Sequence, residues 1–529
     1  MKTNSRSGIA AALGLAAAVL AGCKAGPDFK RPDPPHAEAY TAQRLQLESG
    51  ATPIVDQQIA LGEGPGREWW HLFHSDALDA VVTGALEGNR TLVAANATLA
   101  QTRELAAAQA GALYPQLAMT AGAGRQRYGA QFFGDFAKAP PFTYYALGPT
   151  VSYALDYTGG TARSVEQQYA LAEYQRQQLN AAYLMVTGNA VMQSLRIALL
   201  QGEITTVEAL LEEDRQNRKL VEVAFEAGSV SRVDVVSAES QLASDATLLP
   251  PLRQELGVAR HALSIIMGRL PADAAPPEFA LSQVTLPQSL PVSLPSELVH
   301  RRPDILASEA RLHAATAAVG VAASNLYPHI VLTGSLGLQS TALGNLFEGG
   351  STAYGATGSL TAPLFDGGTL RAQKRAAVDA LQASAANYQQ TVLEAFGQVA
   401  DALEALDHDA EQLDAQAHAQ AAARENVDLT RKSYNEGNVG VLQVLDAERL
   451  YQNARLGYVR AQAQRYMDTV QLFLALGGSG PSPAPAPAPE AKSGHAPNSL
   501  AIACSTVSHA TDAPFSVLTC WPASLARSP

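Results

Sequence analysis

Four stretches of the chain alternate between apolar and small or polar residues with the period of two that a β-strand requires. In the clearest of them Val151, Tyr153 and Leu155 are apolar, and the positions between them are polar or small. The predicted strands span about 116–128, 143–157, 329–340 and 353–365. Such strands fit a soluble sheet with one buried face, or a membrane β-barrel whose apolar face meets lipid. The pattern alone leaves both interpretations open.

The barrel interpretation has a consequence for the number of chains. Each predicted strand is long enough to cross the hydrocarbon core when tilted. Four strands cannot close a barrel wide enough to carry a molecule, because barrel diameter grows with strand number. A membrane barrel would therefore require several copies of this chain. Tyrosines of the strands would suit an aromatic belt at the membrane interface; they are Tyr144, Tyr145, Tyr153 and Tyr157.

Two runs without proline predict very long helices, from about 161 to 226 and from about 369 to 436. Each would be on the order of 100 Å long at 1.5 Å per residue. A compact soluble domain has no use for such a helix, whereas coiled-coil packing does. Seam positions at spacings of three and four occur in the first run; they are Tyr183, Val186, Ala190, Gln193, Ile197, Leu200, Ile204, Val207 and Leu211.

A shorter Ala-rich helix is expected ahead of each strand pair, over about 76–113 and 297–326. Both helices end at the tripeptide Leu-Tyr-Pro, with Tyr114 and Pro115 in the first case and Tyr327 and Pro328 in the second. Proline cannot continue the helical hydrogen bonds, and it moves the preceding residue out of the helical region. These four residues are therefore the predicted helix-to-strand junctions.

The two series of elements form an internal repeat. The Leu-Tyr-Pro blocks, "TGGTAR" with "DGGTLR", and "FEAGSVSRVDVVSAES" with "YNEGNVGVLQVLDAER" follow in the same order at offsets of 208 to 213 residues. A unit of roughly 200 residues is too long for a solenoid repeat and indicates a duplicated half-structure. We expect the first copy over 76–270, a linker over 271–296 and the second copy over 297–478. Each copy should contain a helix, two strands, a long helix and a short helix.

Both ends of the chain differ from this repeat. Residues 1–22 have a positive start and a short apolar stretch, which predicts a secretory signal peptide, and small residues precede Cys23 as in a lipoprotein signal. Acylation of Cys23 and an extended segment over 23–75 are the expectations; a chance cysteine after an ordinary signal is the alternative. Residues 479–529 begin with a Pro/Ala-rich linker, which predicts disorder. The chain leaves open whether Cys504 and Cys520 form a disulfide.

Charge and motifs exclude several classes of function. The net charge is −12 without a cluster of Lys and Arg, which argues against nucleic acid as a partner. His71 and His74 lack the acid of a zinc-protease helix, and the glycines of "GEGPG" lack the Lys-Ser/Thr of a phosphate loop. We therefore expect no metal, no nucleotide and no enzymatic activity.

The ordered motifs resemble the outer-membrane efflux factor family, the TolC-type proteins, and within it the NodT-like lipoprotein branch. The resemblance covers about residues 20–478 and includes the duplicated "LYP", "FDGGTLR", and "CKAGPDFKRP" after the lipidation site. It implies a mainly α fold with membrane β structure, derived from an internal duplication. Three protomers would form an α-helical periplasmic barrel of long coiled-coil helices and share a twelve-stranded outer-membrane β-barrel, with four strands from each protomer.

The same resemblance implies the function and the partners. The protein would be the outer-membrane channel of a tripartite efflux system, a passive duct for small molecules such as drugs or toxic compounds. Its partners would be a periplasmic adaptor protein, an inner-membrane pump of the RND type and outer-membrane lipid. Cys23 would carry diacylglycerol and an N-acyl chain, and no other cofactor would be bound. A structural periplasmic coiled-coil lipoprotein without a pore is the alternative.

In this family the helical hairpin tips close the periplasmic entrance. The resemblance carries that role to Asp234 in the first copy and to Gln443, Asp446 and Tyr434 in the second. A ring of aspartates around a symmetry axis would attract cations and raise the pKa of each carboxyl by repulsion. Asp234 has a second interpretation, as an acid that complements the dipole at a helix N-terminus. The sequence leaves both interpretations of Asp234 open.

Overall fold

The computed structural model describes residues 24–35, 37, 39–41, 57–127, 140–273 and 277–478. The signal peptide, Cys23 and the tail with Cys504 and Cys520 lie outside these residues. The helices are α1 (Asp76–Gly88), α2 (Arg90–Ala110), α3 (Gly160–Glu226), α4 (Arg232–Ala246), α5 (Leu249–Ile266), α6 (Pro295–Arg301), α7 (Pro303–Ser324), α8 (Thr369–Asn435) and α9 (Val441–Ala475). The strands are β1 (Gln58–Leu61), β2 (Gln116–Gln126), β3 (Phe142–Leu155), β4 (Ser289–Val292), β5 (His329–Ser340) and β6 (Thr352–Thr361).

The long helices α3 and α8 contain 67 residues each, and no proline interrupts either of them. Helix α3 packs against α4 and α5 of its own copy, and α8 packs against α9. Eight of the nine predicted seam positions in α3 are apolar, and most of these are buried, as expected for a coiled-coil face. No helix in the described part of the chain combines the length and the hydropathy needed to cross a membrane.

The first helix of each copy departs from the prediction, because two helices stand where the sequence pattern indicates one. Asn89 separates α1 from α2: its side-chain oxygen accepts hydrogen bonds from the backbone N–H groups of Thr91 and Leu92. Its amide nitrogen donates to the carbonyl oxygen of Ile266 at 2.8 Å. In the second copy Pro303 occupies the first turn of α7, where proline is favoured because that N–H has no helical partner.

The short helix also differs between the copies. In the first copy it is divided into α4 and α5, and Pro250 and Pro251 lie in the first turn of α5. In the second copy α9 is continuous over 35 residues. A proline within a helix removes one backbone hydrogen bond and clashes with the preceding turn. The break in the first copy therefore follows from its local sequence.

Strands β2, β3, β5 and β6 form one antiparallel sheet in that order. The register places Leu117 beside Val151, and Tyr153 beside Leu332, on one face of the sheet. The opposite face carries small and polar residues, including the paired Thr150 and Ser335. The sheet therefore has one apolar and one polar face, and β2 and β6 are its two edges.

The position of Tyr144 corrects one expectation. Neighbouring residues of a strand point to opposite faces, so Tyr144 and Tyr145 cannot both lie on the apolar side. Tyr145 shares the face of Leu147, and the ring of Tyr144 lies over Gly124 on the polar side. Tyr144 therefore cannot belong to an aromatic belt on the apolar face.

The main hydrophobic core lies along the middle of the helices. Trp69 and Phe73 of a short 3₁₀ helix pack against Phe473 of α9, with ring centroids 5.8 and 6.1 Å apart. Strand β1 pairs in parallel with β4 of the linker between the copies. The segments outside the repeat thus pack around the long helices, and the hairpin tips extend beyond this core.

Candidate functional site

The two hairpin tips, residues 226–232 and 435–441, have the same backbone geometry. Gly228 and Gly437 follow the ends of α3 and α8 with φ of 76° and 78°, which is the left-handed region that favours glycine. The N–H of Gly228 donates to the carbonyl of Phe225, and that of Gly437 to the carbonyl of Tyr434, both at 2.9 Å. Each turn is a helix C-cap that reverses the chain.

The tips pack against each other through a small apolar cluster. Its buried members are Val221, Val235, Ala238 and Val441. Tyr434 is half-buried beside this cluster. Beside the cluster lies an open cleft of about 400 Å³, lined by Gly228, Ser229, Val230, Ser231, Asp234, Gly440, Val441, Leu442 and Gln443. The structure therefore brings the predicted residues Asp234, Gln443 and Tyr434 to one end of the long helices.

Asp234 is engaged as a helix cap. Its carboxylate accepts a hydrogen bond from the backbone N–H of Ser231 at 2.8 Å and another from the Ser231 hydroxyl at 2.7 Å. Ser231 is the N-cap of α4, and the pair forms a capping box. Hydrogen bonds from the Ser231 side chain and backbone lower the pKa of Asp234. This geometry supports the helix-terminus interpretation of Asp234.

Asp446 and Gln443 have a different environment in the second copy. The Asp446 carboxylate accepts a hydrogen bond from Arg449 at 2.7 Å, one turn further along α9, and both side chains are more than half exposed. Gln443 donates its backbone N–H to the carbonyl of Gly440 at 3.2 Å. Asp446 is thus a solvated carboxylate near the tip, with a neighbouring cation that partly offsets its charge.

A buried polar cluster above the tips was not anticipated from the sequence. Glu448 of α9 is 4% exposed, accepts two hydrogen bonds from Arg431 of α8 at 2.7 and 2.9 Å, and contacts the side-chain amide of Asn217 in α3. Gln452 donates to Glu213 of α3 at 2.6 Å. The cluster joins both hairpins. Charged residues at buried positions of long helices were the signal that could have revealed it.

Asp214 of α3 lies in the same region and is 6% exposed. Burial, followed by the charge of Asp245 in α4, raises the pKa of Asp214 to about 7. Asp214, between two helices of one hairpin, therefore takes up a proton at a much higher pH than an exposed aspartate does. Within the described ranges, no cluster of three or more His, Cys, Asp or Glu side chains could hold a metal ion.

The helix-to-strand junctions lie at the opposite end of the long helices. Strand β2 begins directly after Tyr114 and Pro115, and β5 begins directly after Tyr327 and Pro328. The hydroxyl of Tyr157 donates to the carbonyl oxygen of Pro328 at 2.6 Å. The end of β3 is thereby joined to the second junction.

A two-faced sheet at one end of long helical hairpins, with the packed tips at the other, is the arrangement expected of a membrane channel with a periplasmic extension. The sequence profile of the family described as outer membrane efflux protein matches residues 81–269 and 294–478. These residues are more than half of the chain, and the chain belongs to this family.

Individual relatives agree with this assignment. The chain is 29% identical over 443 residues to the pyoverdine export outer membrane protein OpmQ of Pseudomonas aeruginosa, covering 82% of this chain and 92% of that protein. It is 27% identical to the probable outer membrane lipoprotein SilC of Salmonella typhimurium, covering 87% and 96%. The solved structure of the outer-membrane channel OprN is similar, with a TM-score of 0.78, 28% identity and coverage of 86% and 99%.

These findings confirm the predicted family and fold class, mainly α with membrane β structure. The protein is an outer-membrane channel component of an efflux system and extends into the periplasm. The alternative of a pore-less periplasmic spacer is therefore wrong. Members of the family are efflux channels, and a channel acts by conduction rather than by catalysis.

Proposed function

We propose that three copies of this chain form one passive duct for small molecules across the periplasm and the outer membrane. A periplasmic adaptor and an inner-membrane pump of the RND type deliver the cargo to the helical end. Cys23 carries diacylglycerol on its thiol and an acyl chain on its amine, so that each protomer is also anchored in lipid. Cargo leaves through a barrel that takes four strands from each protomer.

The observation that carries this proposal is the two-faced sheet with two open edges. Its apolar face, with Leu117, Met119 and Leu336, has the character of a lipid-facing surface, and these side chains are 57–72% exposed in the protomer. The other face is small and polar, as in a water-filled lumen. Unpaired strand edges within a membrane leave backbone groups without partners. Pairing of β2 with β6 of a second copy satisfies both edges and closes a barrel.

The internal repeat supports the same arrangement of the helices. Helix α7 packs between α3 and α8 of its own chain, so Ala307 and Ala310 are buried. The equivalent residues of α2, 213 positions earlier, are Ala94 and Ala97, and both are exposed. A second copy that placed its α8 against α2 would repeat the α3–α7 contact. The exposed face of α2 is therefore the surface expected to meet a neighbouring protomer.

Closure of the duct is assigned to the tips, with Asp446 as the main charged residue and Tyr434 and Gln443 beside it. Asp234 contributes through the shape of its tip, because its carboxylate caps α4. Three Asp446 carboxylates around one axis would repel each other and would favour cations in the entrance. Removing them should loosen the closed state.

Single-channel conductance in planar bilayers tests the proposal. We expect discrete channels from the purified full-length protein, and larger or more frequent openings for Asp446→Ala. Asp379→Ala, an exposed acid near the sheet end of α8, is the matched control and should conduct like the parent. A folded trimer that never conducts contradicts the duct. If the trimers conduct and Asp446→Ala leaves their conductance unchanged, the assignment of the gate is wrong and the duct proposal stands.

The lipid anchor has its own test. Mass spectrometry of the N-terminal peptide from membranes should show the mass of a triacylated Cys23, and Cys23→Ser should lose it. An unmodified peptide beginning at residue 23 would contradict the anchor, whatever the channel conducts.

A further inference from the structure

Residues 24–31, named here the N-terminal strap, lie against α7 and the turn between β3 and α3. The N–H of Ala25 donates to the carbonyl of Thr158 in that turn at 2.8 Å. Gly26, with φ of 84°, lies so close to Gly320 of α7 that a Cβ on either residue would come within 3 Å of backbone atoms. The strap therefore occupies a groove that requires both glycines.

Arg163 forms the floor of this groove. Its side chain is 2% exposed, and its guanidinium donates to Asp28 of the strap at 2.5 Å and to Glu166 at 2.8 Å. Its Nε donates to the carbonyl oxygen of Ala25 at 3.3 Å. A buried cation needs such acceptors, because desolvation without them is very costly. Strap atoms provide two of its three partners.

A second set of contacts extends the groove along α7. The ring of His313 stacks on Phe29, with centroids 4.3 Å apart and an interplanar angle of 14°, and its Nε2 lies 2.9 Å from Glu166. Arg31 pairs with Glu309 at 2.7 Å. Apolar stacking and ion pairing therefore continue over the whole strap.

The internal repeat shows that this groove is specific to one place. The second copy keeps the arginine as Arg371, which is exposed. The positions equivalent to Glu166, His313, Gly320 and Glu309 are occupied by Lys374, Ala100, Ala107 and Asn96. The second site has lost the acid, the stacking ring and the glycine. The contacts that hold the strap in the groove of α3 and α7 are therefore not available at the equivalent positions.

We propose that the strap fastens the β3–α3 turn to α7 and thereby holds this strand-to-helix turn in place, with Arg163 as the positioning residue. The strap contacts the β3–α3 turn directly through the hydrogen bond of Ala25. It contacts the turn indirectly through Arg163, which lies at the start of α3. When the strap leaves, the buried guanidinium loses its partners and the turn loses a backbone hydrogen bond. The strap and the β3–α3 turn should therefore open together.

Hydrogen–deuterium exchange of the full-length protein in detergent tests this coupling. The double variant Asp28→Asn/Phe29→Ala changes only strap side chains, so the fold should be kept. Because hydrogen bonds to charged groups are among the stronger ones, we expect exchange about tenfold faster or more in peptides covering 24–31 and 156–164. Asp33→Asn, an exposed acid beyond the strap, is the matched control and should leave both peptides unchanged.

Arg163→Gln should accelerate the same two peptides, and Arg371→Gln should accelerate neither. Gly320→Ala should act like Arg163→Gln, because the added Cβ meets Ala25 and Arg163. The proposal fails if the strap peptide accelerates while 156–164 keeps its parental rate, or if Arg371→Gln has an equal effect. Hydrogen–deuterium exchange does not depend on a conductance measurement, so this result is independent of whether the proposed duct conducts.

Discussion

The two hairpin tips share a backbone and differ in the chemistry that holds them. Both reverse the chain at a glycine with positive φ, followed by the start of a new helix. In the first tip Ser231 and Asp234 form a capping box, whereas 209 positions later the same sites are Gly440 and Gln443. The first tip is stabilised by its own side chains. The second depends more on Tyr434, Val441 and the contacts of α9 with neighbouring helices.

The same divergence appears further along the helices. Asp409 of α8 is buried beside Asp468 of α9, and the equivalent residues of the first copy are Leu200 and Ala259. The first copy has in turn the Asp214–Asp245 pair, which alanines replace in the second. Duplication has kept the turns, which only glycine satisfies. The interior polar pairs were free to change, because each needs only its immediate neighbours.

The largest effect is expected from giving the second copy the apolar residues of the first. Burial and the neighbouring Asp468 raise the pKa of Asp409 to about 8. Because this exceeds the unfolded value of 3.8, the folded state binds more protons, and its stability falls as pH rises from about 4 to about 8. Asp409→Leu/Asp468→Ala should be more stable by about 1–4 kcal/mol at pH 9.

Denaturant unfolding followed by circular dichroism at pH 5 and pH 9 measures this difference. The variant should lose less stability than the parent between the two values. An equal loss in both proteins would show that this carboxyl pair is not protonated in the folded state. Asp401→Leu, at an exposed position of α8, controls for added apolar surface.

A smaller effect, of the same size at both tips, is expected when the turn glycines are substituted. Gly228→Ala and Gly437→Ala each place a Cβ in a left-handed backbone conformation, which costs about 1–2 kcal/mol. No heavy atom other than the chain neighbours lies within 4 Å of that Cβ at either site, so the cost is confined to the backbone. The free energies of unfolding of the two variants should agree. A clear difference would mean that the turns are not equivalent.

Loss of the N-cap side chain should affect the two tips differently. Ser231→Ala removes an N-cap side chain and should cost about 1 kcal/mol, with faster amide exchange in the first turn of α4. Gln443→Ala should leave the first turn of α9 unchanged, since its helix start has no side-chain cap. Equal fraying in both variants would contradict the contrast between the tips.

The smallest effect is expected from introducing the capping box of the first tip into the second tip. Gly440→Ser/Gln443→Asp should stabilise the start of α9 by a few tenths of a kcal/mol, because glycine is already a fair N-cap. Exchange in the peptide covering 440–446 should slow slightly, and Gly440→Ser alone should give only part of the gain. Faster exchange would indicate that the second tip requires Gly440 and Gln443.

Much of the architecture could be predicted from local signals. Helices α3 and α8 occupy 160–226 and 369–435, where the proline-free runs predict them, and β5 begins at His329 directly after its Tyr-Pro junction. The candidate site was only partly predictable. Asp234, Gln443 and Tyr434 were found through family resemblance, but their hydrogen bonds depend on neighbours that a motif does not specify.

The sequence by itself determined the repeat, the long helices, the alternating strands and the points where helix changes to strand, because proline, glycine and periodicity act over a few residues. Tertiary structure alone decided the burial and the hydrogen bonds of side chains whose partners are distant in the chain. Asn89 breaks a helix while bonded to Ile266, Glu448 joins both hairpins, and Arg163 is buried where its counterpart Arg371 is exposed. Burial of a charge depends on which distant acceptors the fold brings to it, and no local pattern carries that information.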